Sequence, residues 1–159
     1  MKKPTSEQII ESTIIVAKAI LASDALEVHK RGFMSSCIWM VTESNGKYGV
    51  PYWSEGIYEL VQREGSLGNV LKLRPLLVRH EHVRPRKYIV EDSMNDQKNV
   101  EAILLRDSIA CLVTKEEHKK LDHLDTGFGR YEAASIRIWE VKKGQWMDFE
   151  EQKNLPRLL

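Results

Sequence analysis

The sequence predicts an α+β fold, because segments with helical periodicity alternate with segments rich in strand-forming residues. Three stretches support this prediction: an amphipathic stretch over residues 6–22, a hairpin pattern over residues 37–53, and an apolar run at residues 108–113 that leads into a helix. The 159 residues suffice for one compact domain with a sizeable core. We therefore expect N-terminal helices and a β-hairpin that support a second α+β element.

The N-terminal half begins with a helix signal. Thr5-x-x-Gln8 matches a capping box, and apolar residues follow it at three-to-four-residue spacing. This pattern predicts a helix over residues 6–22. Ser23-Asp24 either ends this helix or starts a second, shorter helix that ends at Arg31.

A β-hairpin is predicted after these helices. Residues 37–42 read Cys-Ile-Trp-Met-Val-Thr, which is rich in strand formers, and Ser44-Asn45-Gly46-Lys47 is a turn signal ahead of residues 48–53. Aromatic residues are frequent around this hairpin and favour core packing over stacking on unpaired bases. They are Trp39, Tyr48, Tyr52 and Trp53.

The glycine-rich loop at residues 65–68 is the best internal boundary. It follows a helix that Ser54 can cap, and it separates residues 1–68 from residues 69–159 within what we expect to be one compact domain.

Beyond the loop, two helices and two strands are predicted. The helices lie near residues 88–94 and 100–104, and the strands at residues 108–113 and 131–141. Thr114 and Glu117 form a second capping box, which starts a further helix that extends to about Leu124.

Composition excludes several classes of protein. Hydrophobic residues make up 42% of the chain and charged residues 30%, as in folded rather than disordered or fibrous proteins. No segment approaches the roughly 18 apolar residues of a membrane span, and the N-terminal segment lacks the apolar centre of a signal peptide. Cys37 and Cys111 alone form neither a disulfide scaffold nor a zinc ribbon. These features predict a soluble cytoplasmic protein with reduced thiols and no membrane partner.

The segment Arg79-His80-Glu81-His82-Val83-Arg84-Pro85 places an acid–histidine pair and a proline directly after an apolar run. Further along, Cys111-Leu112-Val113-Thr114 leads through the second capping box into a helix that carries His118. This order resembles the signature of the HNH, or ββα-metal, nuclease family. The resemblance covers roughly residues 76–123.

The resemblance implies a metal-dependent DNA endonuclease. His82 would be the general base, and Glu81 and His118 would hold a divalent cation such as Mg²⁺, Mn²⁺, Ni²⁺ or Zn²⁺. Phosphodiester hydrolysis needs a base that deprotonates water and a cation that stabilises the charge on the phosphorane, and these residue types supply both requirements. The family's middle residue, usually an asparagine that orients the base, is assigned to Asn99, with Asn95 as the alternative.

The distribution of charge favours a local phosphate site. Basic residues number 24 and acidic residues 23, and this total of +1 argues against strong binding of nucleic acid over the whole surface. Residues 71–88, however, contain six basic residues against Glu81 alone, a net charge of +5 that leaves −4 for the rest of the chain. Basic groups beside a metal site can position the DNA backbone. The predicted phosphate contacts are Arg74, Arg79, Arg84, Arg86 and Lys87.

Two other readings remain open at the level of sequence. A non-catalytic protein of phage or mobile-element origin could use the same residues to bind nucleic acid or a protein, for example as a counter-defence factor. The histidines could also simply stabilise a turn in a structural domain. Pairing of two copies into a homodimer is left open as well, since many site-specific nucleases pair to cut two strands.

Overall fold

The computed structural model describes residues 3–121 and 127–149 and confirms the predicted α+β class. The chain divides into two compact units, and each is built from two separate stretches of sequence. The first unit contains Met1–Val50 and His82–Ala110, and the second contains Pro51–Glu81 and Cys111–Leu159.

The described part of the chain alternates between helices and short strands. In chain order the elements are α1 (Ser6–Ala22), α2 (Glu27–Thr42), β1 (Tyr52–Ser54), α3 (Glu55–Glu64), α4 (Leu67–Leu73), β2 (Val78–His82), α5 (Arg86–Asn95), α6 (Val100–Asp107), β3 (Ala110–Thr114), α7 (Lys115–Leu121), α8 (Gly129–Ala133), β4 (Ile138–Glu140) and β5 (Gln145–Trp146), with a 3-10 turn at Gln97–Asn99. Among these helices, none is long and apolar enough to cross a membrane.

The first unit packs α1, α2, α5 and α6 around one apolar core. The predicted capping box starts α1, since Thr5 Oγ1 accepts a hydrogen bond from the Gln8 amide (3.2 Å) and Gln8 Oε1 accepts one from the Thr5 amide (3.0 Å). The predicted bounds of this helix are therefore confirmed. The four helices bury a shared set of side chains: Ile14, Ala17, Leu21, Met34, Cys37, Ile38, Ile89, Val90, Val100, Ile103 and Leu104.

The predicted hairpin is wrong, because residues 37–42 form the end of α2 and, of residues 48–53, only Tyr52 and Trp53 lie in a strand, β1. This helix also extends well beyond Arg31, where the sequence predicted its end. Its buried residues Met34, Cys37, Ile38 and Val41 recur at helical spacing, so burial of one helical face outweighs the local preference for strand. The predicted turn does occur at Gly46, whose φ of +86° suits glycine, but it follows a helix.

The second unit contains a five-stranded sheet in the order β2-β3-β1-β4-β5. Strand β1 runs parallel to β3 and antiparallel to β4, which in turn pairs antiparallel with β5. Ser54 caps α3 as predicted, because its hydroxyl accepts a hydrogen bond from the Ile57 amide (3.3 Å). Gly65, with a φ of +80°, ends this helix where the glycine-rich loop predicted an end.

The strand predicted over residues 131–141 is much shorter than expected. Tyr131 lies in α8, and only Ile138–Glu140 forms the strand β4. A turn with Ser135 at a φ of +56° intervenes and prevents continuous extended backbone. The helix expected to reach Leu124 is observed as far as Leu121, and the rest of that prediction lies outside the described residues.

Both cysteines are free thiols, as the sequence predicted, and both are buried. Cys37 is 2% exposed and Cys111 is fully buried, and burial raises the pKa of each thiol. Because the thiolate is the reactive form, we expect both residues to react with a thiol reagent at pH 8 at least about 100-fold more slowly in the native protein than in denaturant. Absorbance after addition of an aromatic disulfide reagent measures this rate, and rapid labelling of either cysteine in the native protein would contradict the prediction.

Candidate metal centre

The two predicted metal ligands meet in the second unit. Glu81 is the penultimate residue of β2, and His118 lies in α7. Glu81 Oε2 is 2.8 Å from His118 Nδ1. The side chain of Glu81 is 13% exposed and that of His118 is 35% exposed, so both side chains remain partly accessible to solvent.

His118 is positioned by the capping box that starts α7. The Thr114 hydroxyl accepts a hydrogen bond from the Glu117 amide (3.2 Å), and Glu117 Oε2 accepts one from the Thr114 amide (2.8 Å). Both reciprocal bonds predicted from the sequence are therefore present. Because α7 begins immediately after β3, this cap fixes the direction in which the helix leaves the sheet.

The Glu117 carboxylate also binds the segment where β1 passes into α3. Its Oε2 accepts a hydrogen bond from the Ser54 hydroxyl (2.5 Å), and its Oε1 accepts one from the Gly56 amide (3.0 Å). One carboxylate thus accepts hydrogen bonds from backbone amides at the start of two helices, α3 and α7. A side chain at position 56 would enter this contact, since a Cβ there would lie 2.7 Å from Thr114 Cγ2 and 2.9 Å from Glu117 Oε2.

Arg130 is a member of the site that the sequence did not predict. It lies in α8, its side chain is only 3% exposed, and its guanidinium forms a salt bridge with Glu81 Oε1. The two oxygens of Glu81 are therefore directed to different partners, Arg130 and His118. No local pattern in the sequence marks Arg130, because its partner lies on a distant strand.

Buried polar groups surround Arg130. Burial raises the pKa of Tyr131 well above its usual value and does the same for Cys111, so both remain protonated at neutral pH. Although burial alone would lower the pKa of Arg130, the charge of the Glu81 carboxylate and its hydrogen bond raise that pKa above the ordinary value. The guanidinium therefore stays charged, and it neutralises the Glu81 carboxylate.

The other residues predicted for catalysis lie in the first unit. His82, the last residue of β2, is 7% exposed and stacks edge-to-face on Trp39, with ring centroids 4.7 Å apart. Asn99 precedes α6, is exposed, and donates a hydrogen bond to Asp96 Oδ2 (2.9 Å). Asn95, the alternative, is exposed at the end of α5.

The residues predicted to contact phosphate differ in how many ion pairs and hydrogen bonds they form within the protein. In the second unit, Arg74 pairs with Glu64 (3.0 Å), and Arg79 donates hydrogen bonds to the backbone oxygens of Leu76 (3.0 Å) and Val78 (2.9 Å). Each of these two guanidinium groups is therefore already bonded within the protein, Arg74 to a carboxylate and Arg79 to backbone oxygens.

In the first unit, Arg84 forms ion pairs with Asp92 and Asp107, both at 2.7 Å. Arg86 lies 4.8 Å from the centroid of the Trp39 ring and donates a hydrogen bond to Ser35 Oγ (3.1 Å). Lys87 is exposed. Of the three, Arg84 is the most fully neutralised by carboxylates.

Comparison with models of known protein families, with curated proteins and with solved structures finds no match for the chain. The assignment of a site therefore depends on the geometry. Among residues 3–121 and 127–149, no group of three or more histidine, cysteine, aspartate or glutamate side chains is arranged to hold a metal ion. Glu81 and His118 fit a two-ligand site, because a carboxylate oxygen and an imidazole nitrogen 2.8 Å apart can bind one cation and leave further positions for water and phosphate.

We expect Gly56→Ala to lower the free energy of unfolding by about 2 kcal/mol, because the added methyl group overpacks the contact with Thr114 and Glu117. Gly68→Ala is the matched control, since a Cβ there meets nothing closer than Ser66 Oγ at 3.8 Å. Chemical denaturation of both variants measures the difference. Equal stability of the two variants would contradict the role of this contact.

We expect Arg130→Gln to lower the free energy of unfolding by about 3 kcal/mol, because it leaves the Glu81 carboxylate without its buried charge partner. The control is Arg137→Gln, since Arg137 is 56% exposed and pairs with Glu55 at 3.3 Å. That substitution should cost less than about 1 kcal/mol. A similar small effect at position 130 would show that its ion pair with Glu81 contributes little to stability.

Proposed function

We propose that the protein is a metal-dependent DNA endonuclease that hydrolyses phosphodiester bonds. The observation that supports this proposal is the contact between Glu81 and His118. The resemblance to the HNH family assigns the role of metal ligand to these two residues, which lie far apart in the sequence. A carboxylate oxygen and an imidazole nitrogen 2.8 Å apart are close enough to bind one cation.

The chemistry assigns a separate task to each residue. Glu81 and His118 supply one hard oxygen and one imidazole nitrogen to the cation, and Arg130 holds the second oxygen of Glu81. When bound, the cation would stabilise the negative charge that develops on the phosphorane and the leaving oxygen. His82 is proposed to accept the proton of the attacking water, since an imidazole titrates near neutral pH.

A second candidate is a protein that binds nucleic acid without cleaving it. The observation in its favour is that Arg130 and His118 already engage both oxygens of Glu81. A carboxylate satisfied in this way can serve structure alone. The exposed basic residues Arg74 and Lys87 would then contact phosphate without any need for a divalent cation.

Cleavage of a supercoiled plasmid, with each of Mg²⁺, Mn²⁺, Ni²⁺ and Zn²⁺, tests the proposal. We expect activity in wild type with at least one metal and a loss of at least about 100-fold in His82→Ala, because the general base is removed. Glu81→Gln and His118→Ala should lower the apparent metal affinity. His29→Ala is the control, since His29 is exposed on α2.

The outcomes separate the two candidates. Cleavage that survives His82→Ala would remove this residue as the base. Absence of cleavage with every metal, together with salt-sensitive DNA binding in a gel-shift assay, would favour the non-catalytic protein.

A further inference from the structure

The imidazole of His82 is held within the first unit by two residues of α2. Trp39 meets it edge-to-face, with an interplanar angle of 82°, and Thr42 Oγ1 lies 3.4 Å from His82 Nε2. Both His82 and Thr42 are buried. The orientation of this ring is therefore determined by a helix that lies outside the segment resembling the HNH family.

The other hydrogen bonds of the Thr42 hydroxyl indicate how it meets His82. A threonine hydroxyl has one hydrogen to donate and two lone pairs that accept. The Thr42 hydroxyl lies 2.7 Å from the carbonyl oxygen of Ile38 and 3.4 Å from that of Ser108, and both oxygens only accept. The short bond to Ile38 takes the hydrogen, so Thr42 Oγ1 faces the imidazole as an acceptor.

We infer that Thr42 is a positioning residue for His82. By accepting a hydrogen bond from Nε2–H, it holds the neutral imidazole in the tautomer that carries its proton on Nε2 and has an unprotonated Nδ1. The catalytic meaning of this contact depends on the proposed endonuclease function, because Nδ1 would then be the nitrogen that accepts a proton from water. The tautomer itself does not depend on that function.

The same role was predicted for an asparagine. Asn99 is exposed, and its amide group donates to Asp96, whereas Thr42 reaches the imidazole from the buried side of α2. Thr42 lies outside residues 76–123, which carry the resemblance to the HNH family. The family motif therefore does not indicate a role for it.

The variant Thr42→Val tests the inference, because it keeps the shape of the side chain and removes the acceptor. Thr13→Val is a closely matched control: Thr13 is buried, and its hydroxyl donates to the Ile9 carbonyl at 2.7 Å, the same helical bond that Thr42 makes with Ile38. Thr42→Ser restores the hydroxyl and should recover the wild-type behaviour.

The main readout is the ¹⁵N NMR spectrum of the His82 ring, recorded where the imidazole is neutral. We expect a protonated Nε2 and an unprotonated Nδ1 in wild type, Thr13→Val and Thr42→Ser, and a mixture of both tautomers in Thr42→Val. In the cleavage assay, Thr42→Val should lower kcat by about tenfold and leave KM unchanged, since one hydrogen bond to the base is lost.

A wild-type spectrum with the proton on Nδ1 would overturn the inference, and so would a Thr42→Val spectrum identical to that of wild type. The spectrum can be recorded whether or not the protein cleaves DNA. Wild type that shows the expected tautomer but no cleavage with any metal would therefore overturn the proposed function and leave the role of Thr42 intact. If Thr42→Val fails to fold, the spectra of wild type and Thr42→Ser still decide which nitrogen carries the proton.

Discussion

The position of the candidate metal centre depends on the hydrogen bonds that the Glu117 carboxylate accepts. This carboxylate accepts hydrogen bonds from the backbone of Thr114 and Gly56 and from the Ser54 hydroxyl, so it satisfies donors at the start of two helices. Helix termini leave such donors without partners inside the helix, and burying them without an acceptor is costly. Because α7 starts at this carboxylate, His118 in its second turn is placed against Glu81.

A second constraint is the burial of charge beside Glu81. An ionised carboxylate that is largely removed from water needs a compensating positive group. Arg130, which is almost fully buried, supplies this charge, and His118 Nδ1 lies 2.8 Å from the remaining oxygen. The same arrangement can stabilise the fold and prepare the carboxylate for a cation, since it holds one oxygen in place and directs the other toward an imidazole. The proposed function would therefore depend on the same few side chains that stabilise the fold.

Much of the local structure could be predicted from the sequence, because short-range hydrogen bonds and spacing determine it. The capping boxes at Thr5 and Thr114, the cap at Ser54 and the end of α3 at Gly65 all occur as the sequence indicated. The strand predicted for residues 37–42 failed for a physical reason. Its residues prefer a strand in isolation, but their apolar side chains lie on one face of a helix that packs on α1, α5 and α6.

The sequence by itself determined the α+β class and the helix caps, because residue type and spacing along the chain mark each of these. Glu81 and His118 were singled out only by the resemblance to the HNH family. Only the tertiary structure decided that Arg130 binds Glu81 and that Thr42 and Trp39 surround His82. These contacts join residues that are distant in sequence, since each unit is built from two separate stretches of the chain. No local sequence pattern predicts these contacts, because they form only when buried polar groups pair with residues that are distant in the sequence.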